Sequence, residues 1–382
     1  MPELMKLMED WKGYVSLSEV KKPEGYEARL KETIDLLANA QGWPTHRWEF
    51  MLREALTTSD FPYLFGDVLD RQVLARYKAV TPVWKAFTRR GTVRRIYPQP
   101  GGYRFAITGG DQYLAEVGEK GEYLASERGE LRDAVYVKKY GRQFDISWEA
   151  MINDDLGALQ DTPQRFADAA IRTEHRLITT AYANDVGTHA AGNIYQNAVN
   201  EDVLALTIGN LEICVARMAA FTDANGEPIM NRAEYLVVGP SLEFTARQIL
   251  TSAVKMWLAG ATTIAAAPDV PYPMTNVISQ YGLELVIDPY LPVIDATHPG
   301  SWYLFAEPAD IAAIEYDYLV GHERPEICMK ASDKVSIGGG ALSPLSGDFA
   351  TDNVFYRVRD IFGVNKLVTT GGWRGTYANI HA

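Results

Sequence analysis

Apolar residues recur at helical spacing over several stretches of the chain. An apolar stripe at positions i, i+3, i+4 and i+7 is typical of a helix with one buried face. Such stripes predict helices over residues 26–40 and 45–56, from about 62 to 77, and from 162 to about 184. In the last stretch Thr162 is a suitable N-cap and Pro163 a suitable first helical residue, which predicts a helix roughly 33 Å long.

Alternation of apolar and polar residues predicts two strands, over 92–108 and 134–148. Between them, Gly109–Asp133 contains seven acidic residues and three basic ones. An irregular segment of this length is uncommon inside a compact domain, so it is either disordered or a long hairpin arm. Its apolar residues favour an arm that lies on another molecule. These residues are Tyr113, Leu114, Val117, Tyr123 and Leu124.

Helices and strands alternate from about residue 190 to 345. The pattern predicts helices over 202–221 and 241–258, and buried strands at 235–238, 283–287 and 302–306. Residues 311–337 are expected to form further strands, and 354–358 with 363–369 a terminal hairpin pair. The predicted fold class is α+β, with a mixed α/β domain in the second half of the chain.

The composition of the chain excludes some classes of function but says little about its fold. The chain has 382 residues and a net charge of −12, which argues against a general nucleic-acid binder because phosphate affinity needs excess basic charge. Cys214 and Cys328 are too few for a disulfide framework and are expected to be small buried hydrophobes. Neither a signal peptide nor a bilayer-spanning stretch is visible, so the chain is expected to fold in a reducing, soluble compartment.

Candidate chemistry is sparse. The sequence contains no phosphate-binding loop, zinc-protease helix or serine nucleophile elbow. The six histidines are scattered, and His175, inside the predicted long helix, is expected to lie on the surface or to be packed with its polar groups satisfied, rather than to be a ligand. The carboxylate pairs Asp154–Asp155 and Glu315–Asp317 are compatible with acid–base or metal chemistry, but a solvated turn and the outer face of a strand are favoured. We therefore predict no catalytic residue, no metal site, no cofactor and no enzymatic activity.

A basic cluster precedes the acidic segment. It consists of Arg89, Arg90, Arg94 and Arg95, and it is either a solvated strand edge or a socket for the acidic segment of a neighbouring copy. Single exposed ion pairs are weak, but networks repeated by symmetry set register and partner choice. The predicted contacts between copies are these four arginines with Glu116, Glu119, Glu122, Tyr113, Leu114 and Tyr123.

In this order the elements resemble the major capsid proteins of tailed bacteriophages, the Hong Kong ninety-seven type fold. Three stretches carry the resemblance, namely Thr57–Pro62 with the helix to Tyr77, Tyr140–Asp155 leading into the long helix, and Phe355–Gly363. They are similar to the segment closing the N-terminal arm, the strand entering the spine helix, and the strand returning to the peripheral domain. The likeness covers most of the chain beyond about residue 57.

The resemblance implies a domain plan and a function. The implied divisions are an N-terminal arm (1–56), an arm-closing helix and connector (57–90), an extended loop (91–139), a peripheral domain with the spine helix (140–189), an axial domain (190–345, with some peripheral strands near 314–337) and a return to the peripheral domain (346–382). In some relatives a loop lysine bonds covalently to an asparagine of a neighbour, and Lys120 with Asn365 is the conceivable pair here, although neither has a defining motif.

The implied protein self-assembles, through pentamers and hexamers, into the icosahedral head shell that encloses double-stranded DNA. Expected partners are other copies, possible scaffold, portal and decoration proteins, and packaged DNA bound without sequence preference. No membrane is expected. The protein would reside in the virion after assembly in the bacterial cytoplasm. Two alternatives stay open: an encapsulin-like compartment, which the copurifying cargo would reveal, and an α/β enzyme, which turnover or a bound cofactor would reveal.

Overall fold

The computed structural model describes residues 82–381 except 109–115, 121, 124, 126–127, 148–155, 188–191, 197–198, 224, 258–271, 336 and 338–346. The predicted arm and the helix ending at Tyr77 lie outside these residues, as does Asp154–Asp155. The helices are α1 (Leu156–Ala183), α2 (Ile208–Ala219), α3 (Glu243–Thr251), α4 (Ile278–Tyr281) and α5 (Leu291–Ile294). The strands are β1 (Arg89–Val93), β2 (Gly102–Thr108), β3 (Gly129–Val135), β4 (Lys138–Ile146), β5 (Glu201–Asp202), β6 (Ala233–Val238), β7 (Val254–Trp257), β8 (Tyr272–Thr275), β9 (Glu284–Ile287), β10 (Trp302–Ala306), β11 (Ile314–Leu319), β12 (Glu326–Met329), β13 (Val354–Lys366) and β14 (Thr376–Asn379).

The described chain divides into two compact units. The first unit comprises residues 139–172 and 320–362, and the second comprises 82–138, 173–319 and 363–381. In the first unit, β12 pairs antiparallel with β13, and β4 also pairs with β13. Phe144 on β4 lies between Tyr356 on β13 and Phe166 on α1, with ring centroids 5.0 and 4.9 Å away. These aromatic contacts pack the first half of α1 against the sheet.

A five-stranded mixed sheet organises the second unit, in the order β5–β14–β10–β6–β9. β10 is the central strand and is antiparallel to β6 and β14, whereas β6 and β9 are parallel. All five residues of β10 are buried, as expected for a strand covered on both faces. One face packs on α2 and α3 through Leu211, Cys214, Met218, Ala246 and Ile249. The other carries Tyr303 and Phe305, which contact Tyr182 of α1.

Several predicted elements differ from the structure in their bounds. The long helix begins at Leu156, so Thr162 is not its N-cap and Pro163 lies inside it. The predicted 202–221 helix is instead β5 followed by α2, because the Thr207 hydroxyl caps α2 by accepting a hydrogen bond from the Asn210 amide at 3.2 Å. The terminal hairpin pair is one strand, β13. Gly363 does not make a turn there; it lets the strand approach the backbone of Tyr136.

The predicted 241–258 helix also ends early, at Thr251, and the chain continues as β7, which pairs with β8. The buried side chain of Asn276 explains the stop. Its amide donates to the carbonyls of Ile249 and Ser252 at 2.7 and 2.9 Å, which satisfies groups that a longer helix would have used itself.

Candidate assembly surface: a hairpin and its root

Strands β2 and β3 form an antiparallel hairpin that brackets the acidic segment. Seven residue pairs run from Gly102↔Val135 to Thr108↔Gly129. The predicted arm therefore has a regular hairpin at its base. Of the predicted contact residues beyond this base, Glu116, Glu119, Glu122 and Tyr123 are exposed, and Tyr113 and Leu114 lie outside the described residues.

On one face of this hairpin, β2 contributes an apolar row that is open to solvent, while β3 places Arg132 and Glu130 beside it. Tyr103, Phe105 and Ile107 point to the same side and are 43, 63 and 61% exposed. Across the hairpin, Arg132 stacks on Tyr103 with its guanidinium 5.4 Å from the ring. Beyond the described strands, Tyr123 is 84% exposed. A contiguous apolar face that a protein leaves exposed in this way is typical of an interaction surface.

The opposite face of β2 carries Arg104, which fastens the hairpin to strand β11. Its Nε donates to Glu315 Oε1 at 2.5 Å, and its Nη2 donates to Asp317 Oδ1 at 2.9 Å. From β1, Arg89 donates twice to Glu315 Oε2, at 2.8 and 2.6 Å. We call Arg89, Gly91, Arg104, Glu315, Asp317 and Asn365 the root cluster.

The interpretation of Glu315 and Asp317 as the solvated face of a strand is wrong. Their exposed fractions are 1 and 0%. The reason is the parallel pairing of β1 with β11, which places Arg89 beside Glu315 and Gly91 beside Asp317. Burial, followed by the negative charge of Glu315, raises the pKa of Asp317 to about 7, although Arg104 acts in the opposite direction.

Asn365 holds the chain that leaves β3. Its Oδ1 accepts from the Tyr136 amide at 2.8 Å, and its Nδ2 donates to the Tyr136 carbonyl at 3.2 Å and to Asp317 Oδ2 at 2.8 Å. The side chain is buried and fully engaged within its own chain. These contacts argue against Asn365 as the partner of Lys120 in a covalent bond between copies.

Asp133 fastens β3 itself. This buried carboxylate accepts from the backbone amides of Thr369 and Thr370, at 3.0 and 2.8 Å, and from the Thr370 hydroxyl at 2.7 Å. Asp133 lies directly opposite Arg104 in the hairpin register. Both strands are therefore tied to the rest of the second unit by charge-assisted hydrogen bonds at adjacent positions.

The four arginines of the predicted basic cluster have different surroundings. Arg89 already has Glu315 as a partner in its own chain, and Arg90 lies over the ring of Tyr318 at 5.7 Å. Arg94 and Arg95 are exposed. Sequence reasoning missed the other root residues, Arg104, Gly91 and Asn365, although the alternation of Glu315 and Asp317 within an apolar strand was a usable signal.

A second buried polar cluster joins α1 to the end of β9. His175 Nε2 lies 3.0 Å from Asp288 Oδ1, and the hydroxyls of Thr179 and Tyr182 donate to Asp288 Oδ2 at 2.6 and 2.5 Å. The Tyr290 amide donates to Oδ1 at 2.8 Å. Of the two positions expected for His175, a surface one and a packed one, the structure shows the packed one.

Reactive groups are few in the part of the chain that the structure describes. Burial raises the pKa of the Cys214 thiol to about 11, which makes it a poor nucleophile. Cys328 is only half-buried, contrary to expectation. Across the described ranges no group of three or more His, Cys, Asp or Glu side chains could hold a metal ion. Nor, among those ranges, does any helix combine the length and apolarity needed to cross a bilayer.

The chain matches a known protein family. The family described as "Phage capsid protein" matches residues 132–379. Among solved structures, the chain is similar to one from Gordonia phage Cozz, with 16% identity over 78% of this chain and 86% of that chain and a TM-score of 0.46. A structure from Mycobacterium phage Patience gives 10% identity over 86 and 91% of the two chains, with a TM-score of 0.45. The capsid structure of cyanophage P-SCSP1u gives 12% identity over 79 and 88%, with a TM-score of 0.43. No curated protein is significantly similar to the chain.

Because the family match spans well over half of the sequence, the chain belongs to the phage capsid protein family. It is a structural protein of the virion. More particularly, it is a capsid protein, whose copies assemble into the shell of the phage head.

Proposed function

We propose that copies of this protein hold the shell together by laying the hairpin of one copy on an adjoining copy. The observation that carries the proposal is the exposed apolar face formed by Tyr103, Phe105 and Ile107. A two-stranded hairpin by itself is marginally stable in water, so a docked position would stabilise it. Each apolar Å² removed from water contributes about 25 cal/mol, and a closed shell repeats that gain at every copy.

Charge complementarity supports a head-to-tail arrangement. The segment beyond the hairpin exposes Glu116, Glu119 and Glu122, whereas the chain just before the hairpin exposes Arg94 and Arg95. A cyclic arrangement can place the acidic segment of each copy near the arginines of the next. Such exposed ion pairs are weak individually. We therefore infer that they set the register and orientation of adjoining copies, while the apolar face contributes most of the binding free energy.

The same proposal includes the form of the shell and what it encloses. We infer that the shell is icosahedral, is built from pentamers and hexamers, and encloses double-stranded DNA without sequence-specific contacts. Assembly would take place in the cytoplasm of the bacterial host, with scaffold, portal or decoration proteins as further partners. The role is structural rather than catalytic. Within this plan residues 91–139 are the extended loop, 140–189 and 346–382 the peripheral domain, and 190–345 mainly the axial domain.

Replacing Phe105 and Ile107 together with serine tests the hairpin contact. Both side chains are more than half exposed, so the variant should retain its fold while losing the apolar face. We expect the circular dichroism spectrum and the unfolding midpoint to stay close to those of the native protein. We also expect shell yield, measured by sedimentation velocity and electron microscopy, to fall by at least about tenfold, since about 2 kcal/mol per contact is lost.

The matched control is Met230→Ser, which removes another fully exposed apolar side chain of the second unit, outside the hairpin. Its shell yield should equal that of the native protein. Normal shells from the double-serine variant would refute the hairpin contact.

The contents of native shells expressed in bacteria distinguish a phage head from a protein compartment. A phage head should contain double-stranded DNA when the packaging proteins are present. A compartment should contain a cargo protein instead.

A further inference from the structure

The root cluster places two carboxylates in a site from which water is excluded. Glu315 and Asp317 lie two residues apart on β11, so their side chains leave the strand on the same face. The charged groups facing them are Arg104 from β2 and Arg89 from β1, and β13 contributes the neutral amide of Asn365. Gly91 of β1 lies against both carboxylates and offers no side chain.

Two carboxylates in one dry site repel each other, and the environment favours a neutral form of one of them. Arg89 and Arg104 both donate to Glu315, whereas only Arg104 reaches Asp317. Asp317 therefore has fewer arginine contacts than Glu315, and it is the carboxylate that binds the proton more readily. The raised pKa of Asp317, about 7, agrees with this assignment.

We propose that the Glu315–Asp317 pair is a proton-binding site that controls how firmly the hairpin is fastened at its root. Arg104 is the only side chain of β2 that contacts the pair in the described residues, and it contacts both members. Opening the root withdraws Arg104 and admits water to the pair. Protonation of Asp317 and attachment of the hairpin are thereby linked. The fastening is a property of a single chain, and its consequence for the shell rests on the proposed function.

The sign of the linkage follows from the two states. In the closed root the pKa of Asp317 is about 7, and in an opened, hydrated root it returns toward the ordinary value of about 3.9. The closed root binds the proton more tightly, so protonation stabilises attachment. This stabilisation is complete below the open-state value and is lost as the pH rises through about 7. The hairpin is therefore fastened in mildly acidic solution and loosened above neutrality.

Hydrogen exchange on the unassembled full-length protein tests the proposal. After correction for intrinsic exchange rates, the opening constant of Gly102–Thr108 and Gly129–Val135 should rise about tenfold between pH 6 and pH 8. The central strand β10 should show no comparable change. Infrared difference spectra over the same interval should show the loss of one more protonated carboxyl group in the native protein than in Asp317→Asn. The comparison is needed because burial raises the pKa of Asp360 to about 6, so this group also loses its proton over part of the interval.

Asp317→Asn imitates the protonated side chain, so its hairpin exchange should vary less than about twofold over the same interval. The matched control, Asp310→Asn, removes an exposed carboxylate and should keep the full native dependence. A native hairpin whose opening constant is unchanged from pH 6 to 8, or an equal loss of protonated carboxyl in the native protein and in Asp317→Asn, would overturn the proposal. Because assembly plays no part in these measurements, this outcome is distinguishable from failure of the hairpin contact between copies.

Discussion

Replacing Gly91 with alanine is expected to lower the free energy of unfolding by about 3 kcal/mol or more. A Cβ at this position would overlap Oδ1 of Asp317 and Oε1 of Glu315, and it would lie 2.6 Å from Nη2 of Arg104. The carboxylates cannot move away without giving up their arginine partners in a buried site. Urea denaturation followed by circular dichroism measures the change.

The control for Gly91→Ala is the same substitution at Gly209, in the first turn of α2, where an added Cβ meets no atom within 4 Å. This variant should be neutral or more stable by roughly 0.5–1 kcal/mol, because alanine restricts the unfolded chain and favours a helix. Equal free energies of unfolding for the two variants would contradict the predicted overlap of the new methyl group with Glu315 and Asp317.

Asp288→Asn is expected to destabilise the second unit by about 2–4 kcal/mol at neutral pH. Oδ2 accepts from two hydroxyls, and Oδ1 accepts from a backbone amide and lies beside His175. An amide group has only one oxygen. Either the two hydroxyls or the backbone amide with His175 must therefore face an NH₂ group instead of an acceptor. Thermal and urea denaturation at pH 7 measure the loss, with Asp310→Asn as a control that should change stability by less than about 0.5 kcal/mol.

The same variant should also alter acid unfolding. Burial alone would raise the pKa of Asp288, but the nearby imidazole of His175 and the hydrogen bonds from Thr179 and Tyr182 outweigh it and hold the pKa below its ordinary value. The resulting stabilisation is present above the unfolded-state value of about 3.9 and is lost as the pH falls through the lower folded-state value. Asp288→Asn should lack this component, so the stability difference between native and variant should shrink below about pH 4. A constant difference from pH 7 to pH 3 would contradict the assignment.

Sequence periodicity predicted the elements that bury one or two apolar faces. The central strand at 302–306, the strand at 235–238 and the body of the long helix all agree with the structure. Their periodicity is set by local geometry, which a sequence displays directly. The order of these elements also sufficed to recognise the family.

The root cluster could not be predicted in the same way. Its members come from residues 89–104, 315–317 and 365, and only the strand pairing brings them together. The local sequence around Glu315 and Asp317 matches the polar side of an exposed strand. Nothing in that local sequence indicates that Arg104 is their partner. The end of α3 was missed for a related reason, because the side chain of Asn276, on a later part of the chain, ends this helix.

The contacts of Asn365 and Asp133 impose an order on folding during translation. The hairpin strands are made early, but the groups that hold Tyr136 and Asp133 belong to residues 365–370. A nascent chain that has not reached this segment cannot complete the attachment of its arm.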